Sequence, residues 1–264
     1  MNNLINFGIY IIGDEILSGK RQDAHLSKAI EILTSHGLQL SWAHYLGDEP
    51  AQITSALKTS FAKSDIEKEN IVFSFGGIGA TPDDYTRAAV ADALNLPIER
   101  HEGAVAEIEA QFGEAAYPKR VLMADFPKGA QMIPNPFNRV AGFAVGLNQQ
   151  PRHYFLPGFP SMAWPMMEWV LDMHYAHIFH QVNIVEAAIL VRDAGESQLI
   201  DLMNSIVKNH PDTKLFSLPR LAGERTNLVR TIELGVKGAE LAVRLAIVDI
   251  KAGVTAAGFD WSDI

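Results

Sequence analysis

Cysteine is absent from this 264-residue chain. That excludes disulfides, a thiolate metal site and a thiol nucleophile. Positive charge is scarce: 22 Lys and Arg stand against 31 Asp and Glu, a formal balance of −9. A general binder of nucleic acid or of anionic membranes needs a basic face, so neither partner is expected. A small phosphorylated ligand held by backbone amides is compatible with this balance. No apolar run approaches the ~18 residues of a membrane span. The opening "MNNLINFGIYIIGDEIL" lacks the basic start of a secretion signal and reads as a first strand. A cytoplasmic protein is expected.

What is present is an ordinary globular composition, with 48% hydrophobic and 20% charged residues. Up to about residue 178 the pattern alternates strand and helix. "INFGIYII", "LQLSWAHYL" and "NIVFSF" read as strands. "AHLSKAIEILTSHG", "PAQITSALKTSFAKS" and "PDDYTRAAVADALNL" read as the helices between and after them. Such alternation implies right-handed crossovers and a mainly parallel sheet in an α/β domain. "AGFAVGL" and "RHYFLPG" read as a hairpin, which makes the sheet mixed, and a helix is expected over about 161–177. Beyond His180 the rhythm becomes β-α-β-β-α, similar to a ferredoxin-like split unit without its last strand. The expected division is 1–180 and 181–264.

"FSFGGIGATPDDYT" (73–86) places Gly76, Gly77 and Gly79 directly behind the third strand. Glycines there permit close backbone approach to a ligand, and a following helix N-terminus offers free amides to an anion. Two common phosphate motifs fail. A P-loop needs Lys-Ser/Thr after its last glycine, and "GDEILSGKR" has Arg21 in that place. A dinucleotide fingerprint needs a glycine where Pro82 stands. Thr81 reads as a helix N-cap, with Asp84 closing a capping box. Capping leaves Asp83 and the triple glycine without a role, which a ligand site supplies.

Two further acidic turns, "IGDEIL" and "LGDEP", end the first and second strands. In a parallel sheet all three turns share one rim. Loops in an acidic protein are often acidic for no further reason. The functional alternative is a Mg²⁺ or Mn²⁺ site made of carboxylates and substrate phosphates, or a carboxylate that accepts a proton from an attacking water. Asp48, Asp83 and Asp84 are the candidates for placing the metal or the water, with Asp14 and Glu15 in support. His174, His177 and His180 step around a helix end and suit a partly exposed surface better than a metal. The Trp- and Met-rich "WPMMEWVLDM" reads as core or as the interface of a homo-oligomer, a dimer or trimer.

"GDEILSGKRQDAH", "GGIGATPDDYTRAAVA" and "LPGFPSM", in this order, resemble the molybdopterin-binding (Mog/MoaB-type) domain. The similarity covers roughly residues 5–175 and is nearest the competence/damage-inducible protein A-like branch. "DAGESQLIDLM" resembles the small domain that follows in that branch. The deamidase domain of longer relatives is not expected here. The resemblance implies a three-layer α/β/α domain that binds a pterin or nucleotide at the glycine loop. Relatives adenylylate molybdopterin, or hydrolyse the pyrophosphate of ADP-ribose or FAD with a divalent metal (Mg, Mn or Co). It assigns the ligand-binding loop to Gly76, Gly77, Gly79 and Thr81, and an acidic, metal-holding pair to Asp48 and Asp84. A first motif falls on Gly13, Asp14 and Glu15, and a basic position on Arg87. The chain departs from the pattern at His25 (commonly Asn), Ala80 (Pro), Met162 (Glu) and "NRVAGF" (138–143), where a small Gly-Thr-Ala-Pro-Gly loop is usual.

Overall fold

The computed structural model describes residues 5–63, 70–146, 151–181, 184–222 and 229–264. The chain divides into two compact units, Met1–Phe179 and His180–Ile264.

In the first unit the main strands are β1 (Asn6–Ile12), β2 (Leu40–Leu46) and β3 (Asn70–Phe75). The helices α1 (Asp14–Leu17), α2 (His25–Ser35), α3 (Pro50–Lys63) and α4 (Thr86–Leu94) alternate with them. Then come β4 (Ile98–Arg100), α5 (Glu102–Phe112), β5 (Asp125–Pro127), β6 (Gln131–Ile133), β7 (Gly142–Val145), β8 (His153–Leu156) and α6 (Pro160–Tyr175). The sheet order is β2-β1-β3-β8-β7-β6. The first four strands in that order are parallel, and β7 is antiparallel to both its neighbours. This is the mixed sheet the pattern implies. The turn of the expected hairpin falls at 147–150, outside the described residues.

Side-chain alternation explains the layering. Phe7, Ile9, Ile11, Ile71, Phe73 and Phe75 face one side and pack with α2 and α6. Tyr10, Ile12 and Val72 face the other and pack with α3, α4 and α5. Successive strand residues point to opposite faces, so a strand covered on both sides must be apolar throughout. All six residues of β3 are buried. The apolar face of "WPMMEWVLDM" is core: Met166, Met167, Val170 and Leu171 are wholly enclosed.

Three features depart from the pattern reading. The stretch 97–137, which carries no clear periodicity, holds α5, the two-stranded β4–β5 ribbon and the edge strand β6. Its strands are three residues long, too short for alternation to register. Secondly, α4 begins at Thr86 and not at Pro82, so "TPDD" is a turn ahead of the helix. Thirdly, the second unit has a closing strand. It runs β9 (Ile184–Arg192), α7 (Glu196–Asn209), β10 (Thr213–Ala222), β11 (Val229–Ala239), α8 (Glu240–Ala256) and β12 (Trp261–Asp263). The antiparallel order is β10-β11-β9-β12. Ile189, Val191, Leu234 and Val236 form its core with Val243, Ala246 and Ile250 of α8. Among the described residues no helix is long and apolar enough to cross a membrane.

A buried histidine makes the first unit acid-sensitive. His153 is 1% exposed and shares a 2.8 Å hydrogen bond with Ser60. Burial, then the nearby Arg152 charge, pushes its pKa down to about 3. The unfolded chain therefore binds a proton that the folded chain rejects between pH ~6.5 and ~3. Stability is full above that window and falls by about 1.4 kcal/mol per pH unit on acidification through it. Urea titrations of wild type and His153→Gln from pH 7 to 4 should show this extra slope in the wild type only. Parallel profiles would refute it.

Candidate functional site

Strand order places the site. β1 lies between β2 and β3, so the chain leaves β1 to one side and returns on the other. Open α/β sheets bind ligands at such a switch point, outside the carboxyl ends of the strands. Here a cleft of about 880 Å³ opens at that rim. Its lining includes Gly13, Glu15, Asp48, Gly76, Gly77, Gly79, Thr81, Asp83 and Asp84.

The glycine loop is held against β1. Gly76 has φ +108°, and its N–H donates to the Leu156 carbonyl of β8 at 3.0 Å. A Cβ at Gly76 would collide with the carbonyl oxygen of Ile12. A Cβ at Gly77, φ +68°, would strike the Thr86 hydroxyl. Thr86 is fully buried and ties the loop to the start of α4. Its hydroxyl donates to Gly76 O at 3.0 Å and its N–H to Gly77 O at 3.0 Å. The backbone N–H groups of Gly77, Ile78, Gly79 and Ala80 form no hydrogen bond with another described residue. Successive free amides in a loop make an anion-binding concavity.

The acids are arranged around this cradle. Asp14 and Asp48 brace one another: the Asp14 N–H donates to Asp48 Oδ2 at 2.8 Å, and the Asp48 N–H to Asp14 Oδ1 at 3.2 Å. Burial raises the Asp48 pKa, the Asp14 N–H opposes it, and the charges of Asp14, Glu15 and Asp83 raise it further. Asp84 accepts from the Thr81 N–H at 2.8 Å and from the Thr81 hydroxyl, both on Oδ2. The Thr81–Asp84 pairing is thus real, but it closes the loop's own turn and not a helix. Arg87 donates to the carbonyls of Gly79 and Leu122. Burial lowers its pKa, opposed by Asp84 and Asp125.

Of the residues singled out from the sequence, Asp14 and Arg87 therefore stand behind the cleft as braces, while the others line it. A divalent cation fits only in part. Among the described residues no group of three or more His, Asp or Glu is placed to hold a metal ion. The lining carboxylates suit a hard cation that takes its remaining oxygens from a phosphorylated ligand and water.

Sequence reasoning assigned no role to Thr86, although it stands inside the quoted motif. On the opposite wall Arg21, Phe112, Met123, Val140, Phe159 and Met162 line the cleft; Val140, Phe159 and Met162 belong to the altered segments that the resemblance puts opposite the glycine loop, while Phe112 and Met123 carry no reading from the sequence. The Arg21 guanidinium lies over the Phe159 ring at 5.9 Å from its centroid. Asn138 of the altered 138–143 segment accepts from the Val140 N–H at 3.1 Å and from Asn135 Nδ2 at 2.8 Å, which fixes that rim. Phe112 and Met123 come from the stretch without periodicity, and only folding brings them here.

This α/β/α unit with a glycine cradle at its switch point is of a known kind. Residues 8–176 match the family described as "Probable molybdopterin binding domain", and the chain belongs to that family. A "CinA-like protein" of Anaeromyxobacter sp. (strain Fw109-5) is 35% identical over 151 residues, 56% of this chain and 35% of the relative. Another, of Anaeromyxobacter dehalogenans (strain 2CP-1), is 32% identical over 188 residues, 70% of this chain and 44% of the relative. The chain thus spans less than half the length of these relatives. A solved structure of "the protein CinA" from Thermoplasma acidophilum superposes with a TM-score of 0.57 at 26% identity, covering 65% of this chain and 99% of that one.

Two outcomes follow from the geometry. Gly76→Ala combines a disfavoured φ with a backbone collision and should cost at least about 2 kcal/mol in urea denaturation, against about 1 for Thr86→Val; a neutral Gly76→Ala would contradict the close approach. The raised Asp48 pKa means that its ionised form opposes folding above the ordinary aspartate range. Asp48→Asn, which keeps an acceptor for the Asp14 N–H, should therefore melt above wild type at pH 7. The gap should close as pH falls towards ~4. An equal or lower melting temperature at pH 7 would show that the cluster carries no repulsion.

Proposed function

We propose that the cleft binds the diphosphate of a nucleotide or pterin and that the protein hydrolyses that diphosphate with the help of a divalent metal. The observation that carries this reading is the run of four free amides, 77–80, bordered by the raised-pKa Asp48. The amides supply anion recognition without a basic side chain, which suits a protein of charge −9. Asp48, whose neighbours disfavour its charge, gains from any cation or proton brought beside it. Asp48 and Asp84 would hold a Mg, Mn or Co ion together with ligand phosphate oxygens. Such an ion neutralises phosphate charge and polarises the bond to be broken. Asp83, exposed at the mouth and touched by the Thr81 side chain, would orient water. Thr81 and Arg87 hold the loop in place. ADP-ribose and FAD fit the class of ligand, acting as diffusible cytoplasmic metabolites.

A second reading is a molybdopterin- or nucleotide-binding module without turnover, linked to molybdenum cofactor biosynthesis. It is favoured by the lack of a three-carboxylate group among the described residues and by the engagement of Asp84 Oδ2 with Thr81.

Incubation with ADP-ribose or FAD and Mg²⁺, Mn²⁺ or Co²⁺ separates the two. The first reading expects turnover that EDTA removes and that Asp48→Asn or Asp84→Asn lowers at least about 100-fold. Binding without product supports the module. Turnover unchanged in Asp84→Asn would sink the assignment of this acid. No thermal shift with any dinucleotide or pterin would sink both readings.

A further inference from the structure

Helix α8 of the second unit is apolar on two opposite sides. Toward its own sheet it buries Val243, Ala246, Ile250 and Val254. On the far side Leu241, Leu245 and Val248 are 72%, 58% and 61% exposed, and the exposed Ala252 continues the row. These four positions step by four, three and four residues, so they lie on one line along the helix. A helix on a domain surface normally turns polar residues outward, and one that is apolar on both sides normally has a second neighbour.

The spacing and the charges beside it say which neighbour fits. Steps of four and three are those of the a and d positions of a heptad, with Leu245 and Ala252 at a and Leu241 and Val248 at d. Arg244 then falls at g and Asp249 at e, both well exposed. In two parallel helices a g residue meets the e residue five places further on in the partner. Arg244 would face Asp249 of the other copy, and a two-fold axis makes that pair twice. An antiparallel arrangement sets each flank against itself, bringing the Arg244 and Lys251 charges of both copies together. Within one chain Arg244 reaches Glu240 through one guanidinium nitrogen, and Asp249 accepts from His210 at 2.8 Å on Oδ2 alone. Each keeps further donors or acceptors for a second partner. We propose that α8 is a docking surface for a second copy of this chain, paired in parallel about a two-fold axis that runs along the helix. The pairing costs no helix formation, because α8 is already held by Ile189 and Val191 of β9 and by Leu234 and Val236 of β11. A seam of two heptads is a small interface, so the dimer depends on concentration. This inference owes nothing to the ligand of the cleft.

The test uses the full chain. Sedimentation velocity from ~1 to ~300 µM should show monomer giving way to dimer. Leu245→Glu, at an exposed position, should keep the circular dichroism of the wild type and weaken association at least about 100-fold. Arg244→Glu should weaken it about 10-fold, and adding Asp249→Arg should restore it, which a merely structural role for either residue would not do. Orientation is read separately. The chain has no cysteine, so Ala252→Cys carries a single thiol. Parallel helices bring the two copies of residue 252 together, and mild oxidation should link them. Antiparallel helices paired along the same row would hold them about 16 Å apart, beyond the reach of a disulfide. The wild-type and Ala252→Cys measurements stand even where a charged variant fails to fold. A chain that stays monomeric at ~300 µM, a dimer indifferent to Leu245→Glu, a charge exchange that does not restore association, or a dimer whose 252 thiols do not link would each overturn the proposal.

Discussion

The turn after β3 runs so close to the end of β1 that no side chain fits between them. At Gly76 the backbone rests on the Ile12 carbonyl, takes a positive φ and accepts the Thr86 hydroxyl. A loop drawn tightly over the sheet edge spends its carbonyls on α4 and Arg87, and the N–H groups of 77–80 bond to no other described residue. The acids then have a reason to be near. They stand beside a run of backbone amides that no described residue satisfies.

Like charges at one rim need management, and the structure shows how it is done. Asp14 and Asp48 each give an N–H to the other's carboxylate, so two strand ends are tied together by groups that would otherwise repel. Asp84 is held by Thr81. Asp83 is left exposed, and Asp48 is left in a field that raises its pKa. The residual strain in this cluster sits where chemistry would use it. On the other wall the chain supplies a different surface, with Phe159, Met162 and His25. The cleft thus has one wall of loop backbone and acids and another with apolar surface.

The second unit stands on its own antiparallel sheet and core. Its helix α8 buries Val243, Ala246 and Ile250 and leaves Leu241, Leu245 and Val248 exposed at helical spacing. The short β12, which the pattern reading omits, pairs with β9 at Val191, Leu190 and Ile189. Three residues ending in a polar run carry no strand signal, and pairing alone makes "WSD" a strand.

Much of the site was legible in the order of residues because local rules govern it. Apolar strands that end in glycine and acid, alternating with amphipathic helices, imply a parallel sheet, and a parallel sheet puts Gly13, Asp48 and Gly76 on one rim. The sequence alone also set the charge balance, the absence of thiols and the glycine positions whose φ no other residue adopts easily. It did not decide where helix α4 starts, because Thr81 and Asp84 satisfy the same capping pattern in a free turn. It did not separate lining residues from braces, since that depends on which carbonyls and N–H groups Asp14 and Arg87 meet once the elements are packed. Nor did it place Phe112 and Met123, because cleft walls are made of residues distant in the chain. Those matters belong to the tertiary structure: burial and the field at Asp48 exist only once the elements are packed.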